Sequence, residues 1–191
     1  MIEELILASG SPRRKAFFKE MGFDFRVEKY PVDEDYPASL KGEEIALYLA
    51  EKKTQPFLKR IQDNQLVITA DTIVWHKGQC LGKPENKNEA YAMLKQLSGT
   101  THEVITAVGF LTKAQFEVLH KVSKVRFKTL TESEIEAYIA TQQPYDKAGG
   151  YGIQDAFGKA AVVNIQGSYT NVVGLPVEAC RKKINEILKR H

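Results

Sequence analysis

The sequence predicts an α/β fold: a mixed, twisted sheet with flanking helices, arranged as two lobes around a cleft. Three observations carry this. Short apolar runs alternate with helical patterns early in the chain, which reads as parallel strands joined by helical crossovers. Two long β-rich runs, 103–112 and 116–128, follow one another mid-chain and read as a hairpin. The 191 residues are 43% hydrophobic, enough for one substantial core or two tightly joined lobes, and they contain no repeat, low-complexity stretch or linker. The reading is of a single domain over 1–191.

The elements follow in order. Leu5–Ala8 is a short apolar run closed by Ser9-Gly10, so it reads as a buried strand. Ser11 is a good N-cap and Pro12 a good first helical residue; the helix they open shows Ala16, Phe17 and Met21 on one face and stops at Gly22. Phe23–Lys29 alternates as a half-buried strand, and the acidic, Pro-containing stretch Pro31–Gly42 reads as a loop. Glu43–Thr54 is a helix interrupted by Pro56, with a further turn over Phe57–Ile61. Leu66–Ala70 is a buried strand ending at Asp71, Thr72–Trp75 continues extended, and His76-Lys77-Gly78 turns the chain. Asn88–Leu97 is a helix closed by Gly99. Thr131 and Glu134 form a capping box that opens a helix to about Ala140. Lys147–Gly152 is Gly-rich loop, Ala161–Ile165 a strand, and Pro176 starts a C-terminal helix whose basic end suits the helix dipole.

Lys+Arg 27 against Asp+Glu 24 gives a net charge of +3, too mild a balance to point to nucleic acid or a membrane surface. Positive charge therefore matters locally, in a pocket. Cys80 and Cys180 stand far apart, without zinc-ligand spacing, and read as reduced thiols. The first apolar run is too short for a signal segment and is preceded by acids, and no run approaches the ~20 apolar residues that span a bilayer. The chain is expected to stay in the cytoplasm.

Four constellations carry chemistry. In Ser9-Gly10-Ser11-Pro12-Arg13-Arg14, two arginines occupy a first helical turn, where the dipole disfavours cations by ~0.3–1 kcal/mol each. An anion over that helix start reverses the sign, so amides, hydroxyls and guanidiniums can converge on phosphate. Asp71 closes a buried strand, the edge at which open α/β sheets bind ligands; beside phosphate it can hold a divalent cation or take a proton from water. Lys83, between Gly82 and Pro84, suits a phosphate contact or an ordinary surface turn. The segment Asp146–Gln154 permits close approach of a ligand: Lys147 can meet phosphate, and Gln154 offers the acceptor–donor pair that reads a base edge. Lys53 looks solvated by pattern alone, and the acids Asp33, Glu34 and Asp35 look like a solvated run with one possible metal ligand. Histidines 76, 102, 120 and 191 are scattered, which gives no Ser-His-Asp arrangement, and no P-loop motif is present.

These segments, in this order, resemble the Maf family of nucleotide pyrophosphatases: Leu7–Arg14, Ile68–Val74, Leu81–Pro84, the stretch from Lys95 to Val108, Asp146–Gln154 and Asn171–Pro176. The resemblance spans essentially the whole chain. It implies an inosine triphosphate pyrophosphatase-like fold, cleavage between the α- and β-phosphates of a nucleoside triphosphate, a divalent cation (Mg or Mn) as cofactor, and a homodimer. By position Asp71 looks like the family's proton acceptor; beyond the resemblance, Asp71 is also read as a metal ligand, with Glu34 as helper. Ser9, Arg13, Arg14, Lys53 and Lys83 look like its phosphate-binding set; Lys147 is a phosphate candidate from the reading of its own segment. Arg13, Thr72 and Gln154 resemble members acting on dTTP and UTP; members acting on 7-methyl-GTP typically carry Trp, Gln and Glu-type residues there. Gly150 departs from a common Ala, and Asp155-Ala156-Phe157 from a Gly-containing turn. The alternatives are hydrolysis of 7-methyl-GTP or of modified nucleotides, and a non-enzymatic inhibitor of septum formation that binds a division partner.

Overall fold

The computed structural model describes residues 1–190; His191 lies outside the described residues. The elements are β1 (Glu4–Leu7), α1 (Pro12–Glu20), β2 (Phe25–Val27), α2 (Glu43–Lys52), β3 (Gln65–His76), β4 (Gln79–Leu81), α3 (Lys87–Leu97), β5 (Thr101–Leu111), β6 (Phe116–Phe127), α4 (Glu132–Ala140), α5 (Ala156–Ala161), β7 (Val162–Gln166), α6 (Tyr169–Val173) and α7 (Val177–Arg190). Among the described residues the seven strands form one sheet in the order β2-β1-β3-β5-β6-β7, with β4 paired to β3. β1 runs parallel to β2 and to β3, while β4 is antiparallel to β3 and β7 antiparallel to β6. The fold is thus the expected mixed α/β sheet with flanking helices. Both the early parallel crossovers and the mid-chain hairpin are present, the latter closed by Thr112 N–H donating to the Gln115 carbonyl at 2.9 Å. No helix of the described residues is long and apolar enough to cross a membrane.

The chain divides into two compact units. The first holds Met1–Asp71, Thr106–Lys121 and the segment from Gly174 onward; the second holds Thr72–Ile105 and Val122–Val173.

In the first unit, the central parallel strands β1 and β3 carry buried side chains on both faces, while the edge strand β2 is largely exposed. The period of two sorts their side chains. Leu5 and Leu7 of β1 join Leu66, Ile68 and Ala70 of β3 against Cys180, Ile184 and Ile187 of α7, with Phe18 of α1 in the same core. The opposite face carries Ile6 and Val67, packed with Phe57, Ile61 and Leu111. The helical spacing of Cys180, Ile184 and Ile187 is what aims one stripe of α7 at the sheet.

In the second unit, α3 and α4 begin with side-chain caps. Asn86 Oδ1 accepts from Glu89 N–H at 3.0 Å, and Thr131 with Glu134 completes the expected capping box. An aromatic cluster joins His102, Phe127 and Tyr151, with ring centroids 4.7–5.4 Å apart, and Phe157 stacks on Tyr138 at 4.1 Å.

Three expectations are corrected. The buried run Leu66–Ala70 and the extended stretch Thr72–Trp75 form one unbroken strand that also takes in His76, expected to open the turn, because β4 pairs with it at Val74–His76. Asp71 is therefore mid-strand. It still lies beyond its parallel partner, since β1 ends at Leu7, opposite Ile68. The strand expected over Phe23–Lys29 keeps only Phe25–Val27, the part that pairs with Leu5–Leu7. The strand expected to begin at Ala161 begins one residue later, after α5, a six-residue helix that no sequence signal announced.

Candidate active site

In the first unit, β1, β3 and α2 place the charged side chains. Val67, Thr69 and Asp71 share one face of β3 by alternation. Thr69 Oγ1 donates to the Ala50 carbonyl of α2 at 2.7 Å. Two residues further along the strand and three further along the helix, Asp71 Oδ1 meets Lys53 Nζ at 2.5 Å. Lys53 is the C-cap of α2, where the helix dipole favours a cation. Its ammonium also donates to Glu34 Oε1 at 2.9 Å, so one positive charge sits between two carboxylates. Lys52 pairs with Asp35 and donates to its carbonyl at 3.0 Å. The acidic stretch 33–35 is thereby fastened to the end of α2.

The Ser9–Arg14 segment leaves β1 and enters α1. Ser9 is buried, and its Oγ accepts from Ser11 N–H at 3.3 Å. Ser11 caps the helix by accepting from Arg14 N–H at 3.4 Å. Arg14 Nε donates to the Gly174 carbonyl at 2.9 Å, and its Nη1 donates to the Ala70 carbonyl at 2.9 Å and to Ser9 Oγ at 3.4 Å. Among the described residues Arg13 makes no ion pair, and its charge acts on Arg14. Lys29 is a residue the sequence reading missed: a Cβ on Gly10 would lie 3.4 Å from its Nζ. The one available signal was position, because Lys29 follows β2, which runs parallel beside β1 and so delivers it to the same edge as Ser9–Ser11.

Asp71 is 6% exposed, and burial pushes its carboxyl above the usual range despite the opposing pull of Lys53 and Arg14. Burial likewise lowers Arg14, partly offset by the charge of Asp71. A buried carboxylate raised in this way is a better proton acceptor than a solvated one.

The second unit holds Thr72, Lys83, Lys147 and Gln154. Lys83 and Gln154 are exposed. The two loops that carry them are tied together: Gly149 N–H donates to the Gly82 carbonyl at 2.9 Å. Gly149 and Gly150 take left-handed φ of 69° and 71°, which glycine adopts without strain. Tyr138 holds the turn before Gln154: its hydroxyl donates to Asp155 Oδ2 at 2.7 Å and accepts from Gly152 N–H at 3.1 Å. Tyr151 is buried and its hydroxyl pairs with His102 Nε2 at 2.7 Å. Lys147 turns into its own loop, donating to the Gln143 carbonyl at 2.6 Å and to Asp146 Oδ1 at 2.5 Å. Of the predicted residues, the structure thus groups Ser9, Arg13, Arg14, Glu34, Lys53 and Asp71 in one unit, and Thr72, Lys83, Lys147 and Gln154 in the other.

The parallel-sheet edge thus carries a buried carboxylate, a bridging ammonium and a serine-capped helix start, groups whose chemistry suits an anionic ligand. The Maf-like protein family model matches residues 4–187, and the chain belongs to that family. A dTTP/UTP pyrophosphatase of Flavobacterium johnsoniae is 51% identical over 173 residues, which is 91% of this chain and 89% of that protein. A dTTP/UTP pyrophosphatase of Christiangramia forsetii is 46% identical over 185 residues, covering 97% and 94%. Among solved structures, a HAM1 protein from Coxiella burnetii shares the fold, with a TM-score of 0.51, 13% identity, and coverage of 97% of this chain and 100% of that one.

Proposed function

We propose that this chain hydrolyses dTTP and UTP to the monophosphate and pyrophosphate. One observation carries the reading: Asp71, buried and raised in proton affinity, lies 2.5 Å from Lys53 Nζ at the edge where Ser9 and α1 begin. Its relatives of the same family, at 46–51% identity over most of their length, bear the name dTTP/UTP pyrophosphatase.

In this reading Asp71 takes a proton from water as the water oxygen bonds to the α-phosphorus. The bond from that phosphorus to the bridging oxygen breaks, and pyrophosphate leaves with the electron pair. Ser9, Arg13 and Lys53 hold the phosphates, and catalysis is mostly positioning and charge stabilisation. Gln154 and Thr72 are the residues assigned to base recognition in this reading: uracil and thymine present O4 and N3–H, which one carboxamide can pair with.

The donor set also fits a magnesium or manganese ion. Asp71 and Glu34 already flank one positive charge, and among the described residues no group of three candidate ligands exists. Two carboxylates with the remaining positions left to phosphate oxygens and water is a usual Mg²⁺ arrangement. Asp71 and Glu34 would hold the ion, which when bound neutralises charge building on the phosphates.

The test is pyrophosphate release across a panel of UTP, dTTP, CTP, GTP, 7-methyl-GTP and ITP, with Mg²⁺ and with Mn²⁺. Preference for UTP and dTTP supports the reading. Preference for 7-methyl-GTP would replace the substrate, and absence of turnover on every nucleotide would overturn the activity.

A further inference from the structure

The two adjacent arginines of α1 are not equivalent. Arg13 is half-exposed and makes no ion pair among the described residues, so its fork is available to an incoming anion. Arg14 points inward, and its Nε and Nη1 are engaged by main-chain carbonyls, Gly174 and Ala70, each at 2.9 Å. Phosphate contact through those two donors would break both bonds.

The acceptors are informative. Ala70 precedes Asp71 in β3, so the bond to its carbonyl fixes the strand at the point from which the Asp71 side chain departs. Gly174 leads into α7 through Leu175, which is fully buried in the core beneath β1 and β3. Ser9 Oγ, the third contact, belongs to the loop leaving β1 and itself accepts from Ser11 N–H. One planar guanidinium therefore joins three chain segments at the edge where Asp71 emerges: the β1 exit, the middle of β3 and the entry to α7. A lysine could not replace it, because an ammonium on a flexible stem does not span two fixed carbonyls in one plane.

We propose that Arg14 is a positioning residue for Asp71 and that the phosphate contact of this arginine pair belongs to Arg13. This rests on the pyrophosphatase reading for its kinetic consequence, but not for its structural one. Displacing a general base by about 1 Å costs on the order of a hundredfold in rate, whereas losing one charge-assisted phosphate contact costs roughly tenfold or more in binding.

The experiment compares R13A, R14A and R14K with wild type, using pyrophosphate release from UTP with Mg²⁺ and binding of a non-hydrolysable α,β-methylene UTP analogue. R14A and R14K should lose kcat by roughly a hundredfold while the analogue Kd stays near wild type. R13A should weaken the analogue by roughly tenfold or more, a loss of binding that R14A and R14K do not show. Millimolar guanidinium should restore part of the R14A rate and none of the R13A binding. R14K keeps the charge, so it serves where R14A does not fold. A rise in analogue Kd for R14K with kcat preserved would overturn the proposal. Amide hydrogen exchange over Thr69–Thr72 gives a readout independent of activity: faster exchange in R14K supports the positioning role even if wild type turns over no nucleotide, and unchanged exchange overturns it.

Discussion

At the scale of single residues, the site depends on which face of β3 each side chain takes. Asp71 and Thr69 look toward α2, and their contacts there do different work. Asp71→Asn keeps shape and removes the proton acceptor, so kcat should fall by about 10²–10⁴ with the urea midpoint nearly unchanged. Turnover within a few-fold of wild type would reject Asp71 as the base. Thr69→Val instead leaves the Ala50 carbonyl without its 2.7 Å partner in a fully buried setting. That should cost about 1–3 kcal/mol, read as a lower urea midpoint at constant slope, with UTP kinetics moving only as far as Lys53 shifts. Asp71 was legible in the sequence because a lone acid interrupts an apolar run. Its pairing with Lys53 was not: the two meet only because the end of α2 lies beside β3, and a lysine at a helix end looks the same whether solvated or buried against a carboxylate.

At the scale of elements, local signals read true and pairing signals did not. Ser11, Thr131 and Gly22 each mark a helix boundary through chemistry within one turn, and α1 and α4 begin and end where those residues say. β3 keeps His76, which was expected to turn, because the end of a strand is set by its partner, here β4, and not by composition. α5 was missed because six residues hold too few turns for periodicity, and Gly158 argues against a helix on propensity. Its position explains it: a Cβ on Gly158 would stand 2.1 Å from the Gly152 carbonyl. Gly158→Ala should therefore push the 152–154 turn outward and raise KM for UTP more than it lowers kcat; unaltered kinetics would show that this turn does not address the base. The α4 cap carries its own pH dependence. Lys128 and the Thr131 amide hold the Glu134 carboxyl down at about 2, against an ordinary 4.5. The ionised form is thus favoured by folding, and its stabilisation is complete above about 4.5 and lost as pH falls toward 2. Glu134→Ala should lower the melting temperature at pH 7, with the gap to wild type closing over that interval.

At the scale of the whole molecule, acid should unfold the chain through a residue with no assigned part in the reaction. Burial, aided by the neighbouring His76, drops His102 to about 3 from 6.5. The folded protein refuses a proton that the unfolded chain accepts. Stability should therefore fall between pH 6.5 and 3, by about 1.4 kcal/mol per pH unit from this group. His102→Gln keeps a polar partner for Tyr151 and should flatten that decline in urea titrations at pH 7, 5 and 4; an unchanged slope would remove His102 from the account. That role was not legible beforehand, because a histidine in a β-rich run is neutral evidence until its neighbours are known.

Cys180 sits at 0% exposure on the α7 stripe, and the surrounding apolar core pushes its thiol up to about 12. In the native molecule that sulfur is both shielded and almost wholly protonated, so alkylating reagents and peroxide find no thiolate to attack. Its modification must wait for the α7 stripe to lift away from β1 and β3. The pace of Cys180 labelling, followed residue by residue in the mass spectrometer, is then a stopwatch for opening of the very layer that carries Asp71, and a tight-binding nucleotide should slow it.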